Sequence, residues 1–273
     1  MKPHLFYMYA TAMQEISTPG SARLERVLAN PAEWALFIDI DGTLLDMAPR
    51  PDAAVVPPGL VETLTRLSKG FGGGVALVTG RRVADADRFF APLRLVTSGV
   101  HGAEVRTHPG GETLMLAAPV PSEVLQAVHD IAARSSGILI EEKGPVVAVH
   151  YRKAPELGPA IERDLGNIAL RWKDFTLRPG RRVLELVPKA HSKGTGLRSL
   201  MRLPVFNARR PIMIGDDHGD EAAMHLAQRL GGLGLKVAGE HFDRHGADFD
   251  GAASVRAWLS GLADAAANPP GTA

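Results

Sequence analysis

The stretch "LFIDIDGTLL", Leu36 to Leu45, follows an apolar run with two aspartates, a glycine and a threonine. The apolar run predicts a strand that is buried on both faces, as strands of parallel sheets are. Asp39 and Asp41 stand at the end of that strand, and Gly42 permits a sharp turn after it. Because charged groups are costly to bury without a partner, the stretch predicts a metal ion, a phosphate group or both at this position.

Short apolar runs alternate with helical stretches over most of the chain, and this order predicts an α/β fold. One helix is predicted over 57–70, where leucines recur at helical spacing and Gly70 ends the pattern. We predict a core with a parallel sheet, formed by 31–105 and 187–265. Its strands are expected at 35–40, 74–80 ("GVALVTG"), 93–99 ("LRLVTSG"), 211–216 ("PIMIGD") and 234–239 ("GLKVAG").

Residues 106–186 show a different pattern, and we predict a separate cap domain there. A strand is expected at "ETLMLAAP" (112–119), followed by a helix, a hairpin at a Gly-Pro turn, a second helix, and a hairpin at a Pro-Gly turn. This β-α-β-β-α-β-β order favours an antiparallel sheet backed by two helices. A cleft between such an insert and the core is the expected ligand site.

The 273-residue chain carries a formal net charge of +1 and has 45% hydrophobic residues but only 5% aromatic ones. This composition disfavours a nucleic-acid or membrane-surface protein. No apolar run reaches the length that spans a bilayer. The absence of cysteine excludes disulfides and fits a reducing cytoplasm, where we expect the protein. Residues 1–30 are expected to form an N-terminal extension with a short helix over 22–30, and 266–273 a flexible tail.

Polar residues follow three of the predicted core strands, and these strand ends should meet at one edge of the sheet. Several carboxylates there, Asp39, Asp41 and Asp216 among them, stay ionised together only around a hard cation, which favours Mg²⁺. Thr79 and Lys193 beside such an ion would provide a phosphate site. Asp39 could then attack phosphorus, and Asp41 could transfer the proton.

These residues, in this order, resemble the four motifs of the haloacid dehalogenase (HAD) phosphatases: "DIDGTL", "VTGR", the lysine of "HSKG", and "GDDHGDE". The resemblance implies a HAD-like Rossmannoid core with an inserted α/β cap of the C2 type. It implies Asp39 as the nucleophile, Asp41 as the general acid and base, and Thr79 and Lys193 on the phosphate. The implied Mg²⁺ residues are Asp39, Asp41 (through its backbone carbonyl) and Asp216, supported by Asp217 and Asp220.

A closer resemblance, over nearly all of 33–262, is to the trehalose-6-phosphate phosphatase family. It is carried by "DGTLLDMAPRPDAAVVPPGL", "SGVHGAE", "EEKGPVVAVHYR" and "VLELVPKAHSKGTGL". Alternation sends Glu141 and Glu142 to opposite faces of a strand, and the E-x-K spacing of the family selects Glu141. The chain departs from the family pattern at Gly219, after His218, where Thr is common, and at Val187, where a basic residue is frequent. The implied substrate-binding residues are Gly80, Arg81, His101, Gly102, Glu141, Lys143, Arg152 and Glu185.

The resemblance implies hydrolysis of trehalose 6-phosphate, a small-molecule substrate, in trehalose biosynthesis. Three alternatives stay open at this point. The chain could be a HAD phosphatase for another sugar phosphate, such as sucrose 6-phosphate or mannosyl-3-phosphoglycerate. It could be a phosphomutase, or a sensor that binds a sugar phosphate without turnover. The sequence is silent on the oligomeric state, for which a monomer is the expectation.

Overall fold

The computed structural model describes residues 27, 30–48 and 50–267. The predicted N-terminal extension, with its helix over 22–30, lies outside the described residues apart from Val27 and Asn30. The predicted tail lies outside them beyond Ala267. Within the described ranges, no helix has both the length and the apolar character needed to cross a membrane.

The strands and helices alternate along most of the chain, as the apolar pattern predicts. The strands are β1 (Trp34–Ile38), β2 (Val75–Val78), β3 (Val96–Gly99), β4 (Glu104–Arg106), β5 (Leu114–Met115), β6 (Leu139–Glu142), β7 (Val147–His150), β8 (Phe175–Gly180), β9 (Val183–Pro188), β10 (Arg210–Gly215) and β11 (Leu233–Lys236). The α-helices are α1 (Leu60–Gly70), α2 (Val83–Phe90), α3 (Ser122–Ala132), α4 (Gly158–Arg171), α5 (Lys193–Leu200), α6 (His218–Arg229) and α7 (Ala252–Ala267).

Seven of these strands form one sheet, in the order β11-β10-β1-β2-β3-β4-β5. The first five run parallel, whereas β4 and β5 add antiparallel strands at one edge. The predicted α/β fold with a mainly parallel core sheet and an inserted antiparallel sheet is confirmed. The assignment of the strand within 112–119 to the inserted sheet is wrong. This strand, β5, pairs antiparallel with β4 and so belongs to the large sheet, because the chain reverses direction after β4.

Both faces of the large sheet are covered by helices. Alternate residues of β1 enter different clusters: Leu36 and Ile38 pack with the leucines of α1 and α7, while Ala35 and Phe37 pack with α5 and α6. All five residues of β1 are buried. This two-sided burial explains why the strand is an uninterrupted apolar run, and it fixes where the polar residues after Ile38 emerge.

The chain passes from β1 to β2 and β3 on one side, and returns later to place β10 on the other side of β1. The ends of β1 and β10 therefore flank the point at which the strand order reverses, where open α/β sheets bind ligands. Their register pairs Ile38 with Ile214, so Asp39 and Asp216 leave the sheet beside each other. The backbone amide of Asp39 donates to the Ile214 carbonyl at 3.0 Å.

The other four strands form an antiparallel sheet, in the order β6-β7-β9-β8. Helices α3 and α4 cover one face of it, and Val147, Val149, Leu184 and Leu186 point into that cluster. Their neighbours Ala148 and Glu185 point to the opposite face, since successive strand residues alternate. This second face is turned toward the carboxyl edge of the large sheet, and the two together enclose the cleft.

Candidate active site

A cleft of about 1180 Å³ separates the two sheets. Its floor is formed by residues that follow β1, β2, β3 and β10 and by the start of α5, and its roof by the free face of the small sheet. Of the predicted site residues other than glycines, all but Asp220 line the cleft. Asp220 lies buried beneath the floor. The predicted residues that line the cleft are Asp39, Asp41, Thr79, Gly80, Arg81, His101, Glu141, Lys143, Arg152, Glu185, Lys193, Asp216 and Asp217.

Lys193, at the first position of α5, is the central cation of the floor. Its Nζ lies 3.0 Å from Asp39 Oδ1, 2.8 Å from Asp220 Oδ1 and 3.4 Å from Asp217 Oδ1. Its side chain is only 2% exposed. Burial disfavours the charged amine, but the carboxylates of Asp217, Asp220 and Asp39 outweigh it and raise the pKa of Lys193 well above its usual range. The lysine is therefore a fixed positive charge beside Asp39.

Two caps hold these residues in place. Ser192 caps α5, accepting a hydrogen bond from the Thr195 amide at 3.1 Å, and so fixes the start of the helix that carries Lys193. Asp217 caps α6 in the same way, because its side chain accepts a hydrogen bond from the Asp220 amide. The Asp220 carboxylate in turn accepts a hydrogen bond from the Asp217 amide at 3.2 Å. The acidic residues after β10 are thus ordered by the helix start itself.

The carboxylates outnumber the positive charge that the floor supplies. Burial, with a smaller contribution from neighbouring carboxylates, raises the pKa of Asp39 to about 7 and that of Asp216 to about 8. Burial also raises the pKa of Asp220 well above its usual range. Asp39, Asp216 and Asp220 offer one oxygen each within 4.8 Å of one another. An all-oxygen set with excess negative charge fits a hard divalent cation such as Mg²⁺.

Gly42 keeps the space that Asp216 occupies. Its φ is +73°, in the left-handed region, and a Cβ there would lie 2.8 Å from Asp216 Oδ1 and closer still to the rest of that carboxylate. Only glycine allows both this turn and the approach of the two loops. Gly42 therefore has two roles: it allows the left-handed turn, and it leaves room for the Asp216 carboxylate in the acidic cluster.

Asp41 points into the cleft on the same side as Asp39 and is held by Arg81. The guanidinium donates two hydrogen bonds of 2.6 Å to the two oxygens of Asp41. Phe89 supports the guanidinium from behind, with the ring centre 4.6 Å from Arg81 Cζ. Arg81, predicted as a substrate-binding residue, thus contacts the second aspartate.

Thr79 and His101 occupy the next strand ends. Thr79 Oγ1 accepts from the Arg81 amide at 3.1 Å, and the Thr79 carbonyl accepts from the His101 amide at 3.1 Å. His101 has a left-handed backbone (φ 54°), and its ring covers Gly80, where a Cβ would lie 2.6 Å from the imidazole. Gly102 packs against the start of α5, and a Cβ there would lie 2.6 Å from the Ser192 carbonyl.

The roof carries a row of charged residues on one face of the small sheet. The register places Glu141 opposite Ala148, and Ala148 opposite Glu185, so the two glutamates flank a small residue. Lys143 Nζ lies 2.9 Å from Glu185 Oε1 and 3.6 Å from Glu141 Oε2. Glu142 points away, toward His129. The choice of Glu141 over Glu142 thus agrees with the side of the strand that faces the cleft.

Charge pairing offsets the burial of this row. Burial would raise the pKa of Glu185, but Lys143 and His101 hold it well below its usual range, and His101 Nε2 lies 2.8 Å from Glu185 Oε2. Lys143 also lies 3.4 Å from the Gly80 carbonyl. The roof and the floor are therefore in contact through His101, Glu185 and Lys143.

The residues that line the cleft but were missed by the sequence analysis include His150 and Arg178. His150 lies 3.0 Å from Glu141 Oε2, and Arg178, opposite Glu185 in the register, donates to the His191 carbonyl at 2.8 Å. Arg178 Nη1 is buried without a hydrogen-bond partner, as is Arg152 Nε, although Arg152 also donates to the Ala48 carbonyl. Strand parity relative to Glu141 and Glu185 is the signal that could have found His150 and Arg178.

Comparison with known proteins gives a consistent result. Residues 37–246 match the model of the family described as trehalose-phosphatase. The chain is 43% identical over 206 residues to a probable trehalose-phosphate phosphatase of Sinorhizobium fredii, covering 75% of this chain and 77% of the relative. It is 34% identical over 208 residues to the trehalose-6-phosphate phosphatase of Escherichia coli, covering 76% and 78%. The fold is similar to the C-terminal domain of the trehalose-6-phosphate phosphatase of C. albicans, with a TM-score of 0.75, 20% identity and coverage of 88% and 96%.

Proposed function

Because the chain belongs to the trehalose-phosphatase family, a family of phosphatases, we propose that it hydrolyses trehalose 6-phosphate to trehalose and inorganic phosphate. One observation carries the proposal. A single cleft is lined on one side by Asp39, Asp41 and Lys193 and on the other by the charged row of Glu141, Lys143 and Glu185. Such a cleft can hold a phosphate at its floor and sugar hydroxyls at its roof.

Asp39 is the proposed nucleophile. Its carboxylate is 4% exposed and is held by Lys193, so it can be presented in line with the phosphorus atom. Attack forms an aspartyl phosphate and breaks the bond between phosphorus and the sugar oxygen. Lys193 and the hydroxyl of Thr79 stabilise the charge that develops on the phosphoryl oxygens.

Asp41 is the proposed general acid and base. Its carboxylate faces the cleft and is 35% exposed, and the paired bonds from Arg81 fix its orientation. Each of its oxygens keeps a further lone pair after those bonds are formed. Asp41 gives a proton to the departing sugar oxygen and then takes one from the water that hydrolyses the aspartyl phosphate.

Asp39, Asp216 and the Asp41 backbone carbonyl are the proposed holders of Mg²⁺, with Asp217 and Asp220 in support. When bound, the ion neutralises phosphoryl oxygens and makes phosphorus more electrophilic. Lys193 already forms ion pairs with three carboxylates, Asp39, Asp217 and Asp220. One ammonium group cannot neutralise three carboxylates, and the remaining negative charge supports the need for a second cation.

The roof residues are the proposed sugar contacts. Carboxylates accept and the lysine donates, so Glu141, Lys143 and Glu185 together match the mixed donor and acceptor character of sugar hydroxyls. Arg152 and Arg178 each keep a buried, unpartnered N–H group at the cleft, which supports a role for them beside the substrate. Because the sugar is the part of the substrate assigned to the roof, the roof residues should govern selectivity while the floor governs turnover.

The test is phosphate release from trehalose 6-phosphate, compared with glucose 6-phosphate and sucrose 6-phosphate, in Mg²⁺ and in EDTA. Asp39→Asn is the inactive variant, and Asp52→Asn, an exposed carboxylate outside the cleft, is the matched control. We expect Mg²⁺-dependent release from trehalose 6-phosphate alone, lost in Asp39→Asn and kept in Asp52→Asn. Release from another sugar phosphate would overturn the sugar assignment and leave the chemistry standing. Binding without release would favour the sensor instead.

A further inference from the structure

A second group of ligating side chains lies at the rim of the cleft, formed by His218, Glu221 and His241. Each offers one ligand atom, and the three atoms lie within 4.8 Å of one another. His218 and Glu221 are one turn apart at the start of α6, and His241 belongs to the loop that follows β11. The catalytic proposal uses none of the three. His218 directly precedes Gly219, the position at which the sequence departs from the pattern of its family.

The two imidazole nitrogens each approach a different oxygen of the Glu221 carboxylate, at distances that suit a shared metal ion. His218 Nδ1 lies 3.2 Å from Glu221 Oε2, and His241 Nε2 lies 2.9 Å from Glu221 Oε1. Ligands bound tetrahedrally at about 2.0–2.1 Å lie roughly 3.3 Å from one another. The imidazole rings of His218 and His241 are in an edge-to-face arrangement, with ring centres 5.3 Å apart. An ion could therefore enter with small side-chain shifts.

The donor types distinguish this group from the acidic floor. Two imidazoles and one carboxylate suit borderline transition ions, whereas the all-oxygen set around Asp39 suits Mg²⁺. The side chains of His218, Glu221 and His241 are all at least 35% exposed, so an ion can reach them from solvent. We propose that His218, Glu221 and His241 form a second metal site, which binds a divalent transition ion such as Zn²⁺ or Co²⁺ and leaves a position open for water.

The site joins two parts of the cleft wall. Glu240, next to His241, forms an ion pair of 2.7 Å with Arg181, in the turn between β8 and β9 of the small sheet. Helix α6 carries Asp220, which contacts Lys193. An ion held by His218, Glu221 and His241 ties the loop that reaches the roof to the helix that supports the floor.

The test is a titration of the full chain with Co²⁺ in excess Mg²⁺, which keeps the oxygen site filled. We expect about one equivalent of Co²⁺ to bind with the strong visible absorption of four- or five-coordinate cobalt, and Zn²⁺ to displace it. His241→Ala should weaken binding by at least about 100-fold, since loss of even an outer hydrogen-bond partner of a ligand costs about 10–100-fold. His245→Ala, an exposed histidine of the same loop, is the matched control.

His218→Ala, at an exposed position of the helix, provides a second variant should His241→Ala disturb the loop, and circular dichroism checks the fold of each. Because the readout is binding, the result does not depend on the proposed phosphatase activity. Absence of the absorption band in the unaltered chain would overturn the proposal. So would a band that both substitutions leave unchanged, since the ion would then lie at the oxygen site and the three residues would form only a hydrogen-bonded group.

Discussion

Replacement of Gly42 by alanine should abolish metal-dependent stabilisation while leaving the chain folded. Two costs arise from the structure. The left-handed backbone at φ +73° costs a residue with a Cβ about 1–2 kcal/mol. In addition, the new Cβ would lie 2.8 Å from Asp216 Oδ1, whereas carbon and oxygen atoms rarely approach closer than about 3.3 Å. The carboxylate must retreat by roughly 0.5 Å or more, beyond the tolerance of about 0.2 Å for a metal ligand.

Gly59→Ala separates the two costs. Gly59 has a similar left-handed backbone, φ +79°, but nothing lies within 4 Å of the position of its Cβ. Both variants should therefore lose about 1–2 kcal/mol in EDTA, which lowers the melting temperature by about 2–8 °C for a chain near this size. Only Gly42→Ala should also lose the response to Mg²⁺.

The assay is thermal unfolding of the three proteins in EDTA and in Mg²⁺. An ion at about 100 times its dissociation constant stabilises the folded state by about 2.7 kcal/mol. The unaltered chain and Gly59→Ala should gain this increment, and Gly42→Ala should not. A full Mg²⁺ response in Gly42→Ala would refute the placement of the ion beside Asp216. Loss of the Mg²⁺ response in Gly59→Ala as well would refute the role assigned to the clash, because nothing lies within 4 Å of that Cβ position.

Three further predictions concern the floor and the roof. Glu185→Ala should lower the unfolding free energy measured in urea by up to about 3–5 kcal/mol, because it leaves the Lys143 ammonium buried beside a more distant carboxylate. Adding Lys143→Met should restore stability but not a low KM. If stability is not restored, the proposed pairing of Lys143 with Glu185 is contradicted. Stabilisation by Mg²⁺ should grow between about pH 4 and pH 8, since burial raises the pKa of Asp39 to about 7 and of Asp216 to about 8. In EDTA the folded chain then holds protons that the unfolded chain has lost, so its unfolding free energy falls with rising pH; a difference between Mg²⁺ and EDTA that is independent of pH would contradict this. Arg81→Lys should lower kcat by about 100-fold with little change in KM, because one ammonium cannot make the paired bonds that orient the second aspartate; an unchanged kcat would argue that the pairing is incidental.

The floor of the cleft could be predicted from the sequence because it depends on local signals and one general rule. Asp39, Thr79 and Asp216 each follow an apolar run that forms a buried strand, and parallel strands end at one edge. Lys193 follows a serine that caps its helix. Each feature is determined within a few residues, and the rule that parallel strands end at one edge places them together without knowledge of which residues pair across the sheet.

The roof could be predicted only in part, because its geometry depends on register. Arg178 reaches the cleft because it lies opposite Glu185, and His150 because it lies on the same side as Ala148. The sequence indicates hairpins but does not fix which residues stand opposite each other across β7, β8 and β9. The same limit explains β5, whose two residues could have paired with either sheet.

The three carboxylates around Lys193 have a consequence for the integrity of the protein. An acyl phosphate on Asp39 is an acylating agent, and Lys193 Nζ lies 3.0 Å from Asp39 Oδ1. A neutral amine there would attack the acyl carbon, break its bond to the phosphate oxygen, release inorganic phosphate with the amine proton, and join the two side chains in an amide. Attack requires the lone pair of a neutral amine. Asp217 and Asp220 contribute more than Asp39 to the raised pKa of Lys193 and are not part of the intermediate, so they keep that amine protonated. The acidic surroundings therefore protect the proposed intermediate from self-cross-linking and leave water as its acceptor.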